Sequence, residues 1–237
     1  MIPIKKGVAP SELIDLKNKA DAMHLSPKRA YDTLKNPLKK KVIKQLVEEQ
    51  GHLCAYCMCL IPRGDVDPGI SPITIEHYVP KSPEDGRDVG QGLDYNNFLA
   101  VCNGNTAKQG KREYIDLTCD KYRGNKEFRK INPCIPDTLK SIYYKMDGTI
   151  SATDPDVKYD IEEVLNLNCA NSSLIAERKE VLSNLIYDME SIEDTTMLLQ
   201  YCKDRLEVFL NETDKKTAYV GIIIWYLKSM IQALESA

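Results

Sequence analysis

"HLCAYCMCLI", residues 52–61, packs three thiols into one short stretch edged by apolar residues. It reads as a small hairpin with a cysteine-bearing turn. Cys54 and Cys57 form a C-x2-C pair, a spacing that lets two thiolates from one tight turn reach a single tetrahedral metal. Cys59 offers a third thiol in place of either, but the turn geometry favours Cys54 and Cys57. A redox dithiol is the competing reading. Such pairs open a helix in a βαβ pattern, which the surrounding sequence does not show. Cys102 and Cys119 are the natural second pair: each lies at the edge of an expected element, with 16 residues between them that look like a surface insertion. Four thiolates make a closed structural zinc site, which matters in a segment with few large apolar side chains. The remaining cysteines, Cys134, Cys169 and Cys202, read as small buried apolar residues.

The rest of the chain bounds what this core can be. Its 237 residues allow one large domain or a core with an attached second unit, and 43% hydrophobic with 28% charged residues is ordinary for a globular protein. "MIPIKKGVAPSEL" has no apolar run after its charges, so no export signal is expected. "AYVGIIIWYL" (218–227) is well short of the ~18 apolar residues of a membrane span. The expectation is a cytoplasmic protein without membrane contact, whose thiols favour metal over disulfides. The net charge of −3 conceals an asymmetry: residues 1–149 hold 24 basic against 19 acidic side chains, residues 150–237 hold 8 against 16. Two basic clusters, 27–44 and 108–130, fall in the first part. A polyanion suits that part and not the second, although lysine-rich stretches also serve as solvated helix faces.

Helices are expected over 11–24, with Ser11 as its cap, and over 26–50, interrupted at Pro37 and stopped at Gly51. Leu38, Val42, Leu46 and Val47 form an apolar stripe. Residues 63–72 and 81–93 read as loops, "ITIEHY" (73–78) as a strand, and 94–102 as a turn into "NFLAVC". Residues 103–117 are the polar insertion, and Thr118 is placed to cap a short helix. Residues 145–160 read as a linker or hairpin. Beyond it the helical period returns over 172–190, 192–210 and 214–235, with Ser172, Ser191 and Thr213 as caps.

The strand "ITIEHYVPKS" (73–82) carries Glu76 and His77, the latter one of three histidines. A histidine on a strand is more often structural than catalytic. Here Asn97 follows 20 residues later and Asp120 stands directly after Cys119, so an acid, an imidazole, an amide and a second acid are all tied to cysteine-braced elements.

Taken together, "LCAYC", "TIEHYVPKS", "NNFLAVC" and "TCDKYRGN" resemble the HNH, or ββα-metal, nuclease motif. The resemblance implies an α+β fold in which a small zinc-braced ββα-metal core (51–135) is flanked by an N-terminal helical segment (1–50) and by a linker and C-terminal helical region (136–237). It implies Glu76 and Asp120 as ligands of a catalytic Mg²⁺ or Mn²⁺, His77 as general base, Asn97 as the loop asparagine and Arg123 facing phosphate. Cys54, Cys57, Cys102 and Cys119 would hold structural Zn²⁺. The second cysteine pair, usually C-x2-C in this family, is split here, which leaves Asn103, Asn105 and Asn125 as alternatives to Asp120. A finer resemblance is to PtuB-type HNH proteins of Septu and retron-associated anti-phage systems, carried also by "MIPIKKG" and "VLNLN" (164–168). It implies a nuclease effector held by a PtuA-type ATPase and, where a retron is present, by its reverse transcriptase and multicopy single-stranded DNA. DNA and RNA, including tRNA, both remain open as substrates. The alternative function is a non-catalytic zinc-binding adaptor, which has no need of Glu76, His77 and Asp120. For the acidic helical tail, core packing competes with partner docking through Trp225 and Tyr226.

Overall fold

The structure, a computed structural model, describes residues 1–62, 72–83, 85–87, 91–105 and 113–236. Nearly all of the loop expected over 63–72 lies outside the described residues, as do residues 106–112 of the insertion.

The N-terminal segment is α1 (Ser11–Ala22), α2 (Pro27–Asp32) and α3 (Leu38–Glu49). Pro27 opens α2, where its missing N–H costs nothing, and Pro37 immediately precedes α3. The break expected in 26–50 is therefore present. On α3, Val42, Leu46 and Val47 are buried and Leu38 packs against them half-buried. Ser11 does not cap α1: it is the first helical residue, and its hydroxyl donates to Glu12 at 3.2 Å.

Residues 52–61 form the expected hairpin. Leu53 bridges Leu60, Cys54 N donates to Cys59 O at 2.9 Å, and Ile61 N to His52 O at 2.8 Å. Strands β1 (Ile73–His77) and β2 (Phe98–Cys102) pair antiparallel, with Ile73 opposite Cys102 and His77 opposite Phe98. A two-stranded ribbon has little stability of its own, so it needs covering. All five residues of β2 are buried. Gln50, at the end of α3, acts as a short extra strand: its side chain accepts from Ala100 N at 2.8 Å and donates to Ala100 O at 2.7 Å. Helix α4 (Cys119–Arg123) follows after Thr118, giving the succession β1–β2–α4. Thr118 occupies the capping position without a side-chain bond.

The second hairpin, β3 (Ile142–Tyr144) with β4 (Ile150–Ala152), lies in the stretch read as linker or hairpin. It runs into α5 (Pro155–Tyr159), which the sequence reading missed. Asp154 caps α5 by accepting from Asp156 N and Val157 N at 3.0 and 3.2 Å. One π-helical turn, Asp160–Val164, continues it. The three expected helices are α6 (Leu174–Met189), α7 (Thr195–Leu210) and α8 (Val220–Glu235), but two of their caps, Ser191 and Thr213, differ from those expected. Ser173, Asp194 and Tyr219 directly precede the helices; Asp194 accepts from Met197 N at 2.8 Å, and the expected Ser172, one residue further out, accepts from Leu174 N at 3.3 Å. Among the described residues no helix is long and apolar enough to cross a membrane.

The tail is bonded to both cysteine-bearing elements. Tyr219 N donates to Met58 O at 2.9 Å, and Lys216 N to Gly51 O at 3.0 Å. On the other side, Cys119 N donates to Leu165 O at 2.9 Å, while the Asn166 amide reaches Ile115 O and Leu117 O, each at 2.9 Å. The "VLNLN" block thus props the start of α4. Asp160 is fully buried, and its carboxylate accepts from the backbone N–H groups of Arg129, Lys130 and Ile131, each at 2.8 Å.

Candidate functional site

The sulfurs of Cys54, Cys57, Cys102 and Cys119 all lie within 4.8 Å of one another and all four residues are buried. A tetrahedral zinc with bonds of ~2.3 Å holds its sulfurs ~3.8 Å apart. Cys57 and Cys102 sulfurs are separated by 3.8 Å, Cys54 and Cys119 by 4.0 Å. Backbone N–H groups point at these sulfurs, as thiolate ligands require: Cys102 N to Cys54 Sγ and Gly104 N to Cys102 Sγ, both at 3.4 Å. Gly104 has φ +60° and a Cβ there would stand 2.4 Å from Thr118 O, so the approach of the two cysteine segments requires glycine. The donor set fits a structural zinc ion. Cys59, also buried, has its thiol within hydrogen-bonding reach of Cys54, Cys57 and Cys102 but is not one of the four mutually close sulfurs. Of the cysteines expected to be core, Cys169 and Cys202 are buried and Cys134 only half-buried.

The brace sets the end of β1 against α4. Alternation along β1 sends Glu76 and His77 to different sides, and both are buried. Glu76 Oε1 accepts from Tyr56 OH at 3.1 Å and is ion-paired with the buried Arg123 guanidinium. Its carboxyl is pushed up to about 8 by burial; Arg123 opposes this, and the Asp120 carboxylate, within hydrogen-bonding reach, adds to it. Asp120 itself is in the first turn of α4, with a side chain 16% exposed. Two carboxylates facing one another, one buried and one half-buried, are oxygen donors that a divalent cation would relieve, so these residues fit such an ion.

His77 sits between aromatic rings: Tyr31 edge-on at 4.6 Å and its cross-strand neighbour Phe98 at 4.9 Å between centroids. Its Nε2 is 3.1 Å from the carbonyl oxygen of Gly92. A carbonyl only accepts, so Nε2 carries the proton and Nδ1 keeps a bare lone pair. Among the described residues that buried Nδ1 has no hydrogen-bond partner. Burial, reinforced by Lys81, holds the imidazole pKa down to about 4, against the opposing pull of the Gly92 carbonyl. Gly92 must be glycine to lie this close to α2, since a Cβ would stand 2.0 Å from Pro27 O.

Asn97 is buried and binds the loop that leaves β1. It accepts from Val79 N at 2.7 Å and donates to Val79 O at 2.9 Å and Gln91 O at 3.3 Å. Its own backbone carbonyl accepts from Tyr78 N at 2.9 Å. It therefore fixes both segments around His77.

Arg123 is placed differently from the expectation that it faces phosphate. It is 1% exposed and all of its bonds run inward. Besides Glu76, Nη1 donates to His77 O at 2.9 Å, Nη2 to Tyr78 O at 2.6 Å and Nε to Lys126 O at 2.8 Å. Phe128 lies 4.4 Å from the guanidinium and also packs on Tyr56 and Tyr78. The five donors of the fork suit this many-sided carbonyl grip better than a lysine would. Of the alternatives to Asp120, Asn105 donates to Asp116 O at 2.7 Å, Asn103 is buried and Asn125 is exposed. Tyr31, Tyr56, Lys81 and Gly92 were missed in the sequence. Only the glycine in "QGLDY" carried any signal, and it gave no indication of a partner.

No family model matches the chain. The chain is similar to an Escherichia coli protein named "Retron Ec83 putative HNH endonuclease", being 27% identical over 179 residues that cover 61% of this chain and 68% of that protein. The resemblance read from the motifs thus meets a relative that bears the same family name and is associated with a retron, which supports a nuclease.

Proposed function

We propose that the chain is a metal-dependent HNH endonuclease that hydrolyses phosphodiester bonds. The observation that carries this reading is the juxtaposition of Glu76 and His77 with Asp120, whose neighbour Cys119 belongs to the four-sulfur cluster. In this reading Cys54, Cys57, Cys102 and Cys119 hold zinc and keep α4 against β1. Glu76 and Asp120 hold Mg²⁺ or Mn²⁺. That ion, when bound, offsets the negative charge that builds on the phosphate and on the leaving 3′ oxygen. His77, neutral and with Nδ1 free, takes the proton of the attacking water. The Gly92 carbonyl fixes its tautomer, and Asn97 fixes the loop that carries it. Arg123 positions Glu76 and the backbone of residues 77 and 78. Residues 51–135 form the nuclease core, and 136–237 a linker and helical region that supports it.

The finer proposal is that the chain is the effector of a Septu- or retron-type anti-phage system in the cytoplasm. A PtuA-type ATPase, and where present a reverse transcriptase with its multicopy DNA, would hold it. The retron in the relative's name and the acidic tail support this reading. Trp225 and Tyr226 are half-buried, with faces left to contact such a partner.

A zinc-only adaptor is the competing reading, and cation titration separates the two. With zinc content constant, cleavage of DNA or RNA by the chain and its partners should rise and saturate with added Mg²⁺ or Mn²⁺. No cleavage at any concentration favours the adaptor. Sequencing the ends of nucleic acids cut in cells identifies the substrate.

A further inference from the structure

The metal site leaves the basic stretch 27–44 unused, yet part of it lies against His77. Tyr31, on α2, sets its ring edge-on to the imidazole at 84°. Two ammonium groups come to that same ring. Lys39 Nζ, from the first turn of α3, is 5.4 Å from the ring centroid, and Lys81 Nζ, on the loop leaving β1, is 5.0 Å from it. The fold assembles this group from α2, α3 and a loop far away in sequence.

Neighbouring lysines are committed to acids: Lys6 to Glu49 at 3.3 Å, Lys41 to Glu12 at 2.6 Å and Lys44 to Glu48 at 3.8 Å. Among the described residues neither Lys39 nor Lys81 is in an ion pair. Both are half-buried, so part of their hydration is already given up. Two cations gathered at one aromatic ring repel each other and leave positive charge that a polyanion would neutralise. The acids felt at Tyr31 are Asp120, assigned above to the metal, and Asp32.

We propose that Lys39 and Lys81, seated on Tyr31 beside His77, form a subsite that grips the nucleic-acid backbone next to the phosphate presented for cleavage. The proposal rests on the nuclease reading for its substrate class. Its ligand is the sugar–phosphate chain, because ammonium groups at this ring read charge and not base sequence.

The test uses the whole chain carrying His77→Ala, with fluorescein-labelled single-stranded and duplex DNA and the same sequences as RNA. Dissociation constants are measured from about 50 to about 200 mM KCl, where each lost phosphate contact flattens the log–log salt slope by roughly 0.7–0.9. Lys39→Met with Lys81→Met should weaken binding of at least one probe several-fold and flatten its slope by about 1.5, the loss of two contacts. Lys215→Met with Lys228→Met, in the acidic tail, should change neither. An unchanged constant and slope in the Lys39/Lys81 variant, or no salt-dependent binding of any probe, overturns the subsite. A chain that binds through this pair yet never cleaves, even with His77 intact, keeps the subsite and defeats the nuclease reading.

Discussion

The cysteine-braced core and the helical tail are held together by different means. In the core, residues that ordinary folding would leave in water are buried: Glu76, His77, Asn97 and Arg123 are each at most 5% exposed. Each is bonded to backbone or to another of the group, and the four sulfurs close the segment. In the tail, burial is mostly apolar, with Leu182 and Leu185 buried on α6 and Ile222, Ile223 and Leu227 on α8, which packs against both α6 and α7. The contrast shows where stability is made and where it is spent on a site. Apolar packing is tolerant and non-directional, whereas a buried acid beside an imidazole needs every partner fixed.

The largest break in this contrast comes from the brace. Cys119→Ser should remove zinc and with it much of the roughly 10 kcal/mol that a structural zinc contributes, unfolding the core. Metal analysis and loss of near-ultraviolet dichroism would record it. A smaller effect, confined to the tail, is expected from Leu227→Ala: about 2–5 kcal/mol in denaturant unfolding, with zinc content unchanged. If that variant lost zinc as readily as Cys119→Ser, the two regions would not be separable in the way described. Asn97→Ala frees the loop around His77 and should slow cleavage by about 10–100-fold while the fold stays intact. The least effect belongs to Tyr187→Ala on α6, which is 75% exposed. It should alter unfolding by under ~0.5 kcal/mol.

What was legible in the sequence follows the same division. The tail's helices could be read because their apolar period is long; of their caps Ser172 was legible, while at α7 capping is satisfied by Asp194 in place of Ser191. In the core, the C-x2-C turn, the strand of Glu76 and His77, and the short helix after Thr118 were legible as local patterns. The second cysteine pair was legible only by pairing what remained. Arg123 was not, since a sequence does not tell whether a basic residue turns outward to phosphate or inward to three carbonyls and a carboxylate. Nor were the supports from afar, Asp160 beneath residues 129–131 and Asn166 beneath the insertion, because no pattern links residues about 30–50 positions apart except the fold itself.

The central claim is that the imidazole held by this brace does chemistry. The most direct measurement compares cleavage of nucleic acid by the parental chain, assembled with its partners, and by His77→Ala at matched zinc content and melting temperature. A loss of about 10²–10⁴-fold is expected, with fold and zinc retained. Cleavage at the parental rate by the His77→Ala chain would contradict it.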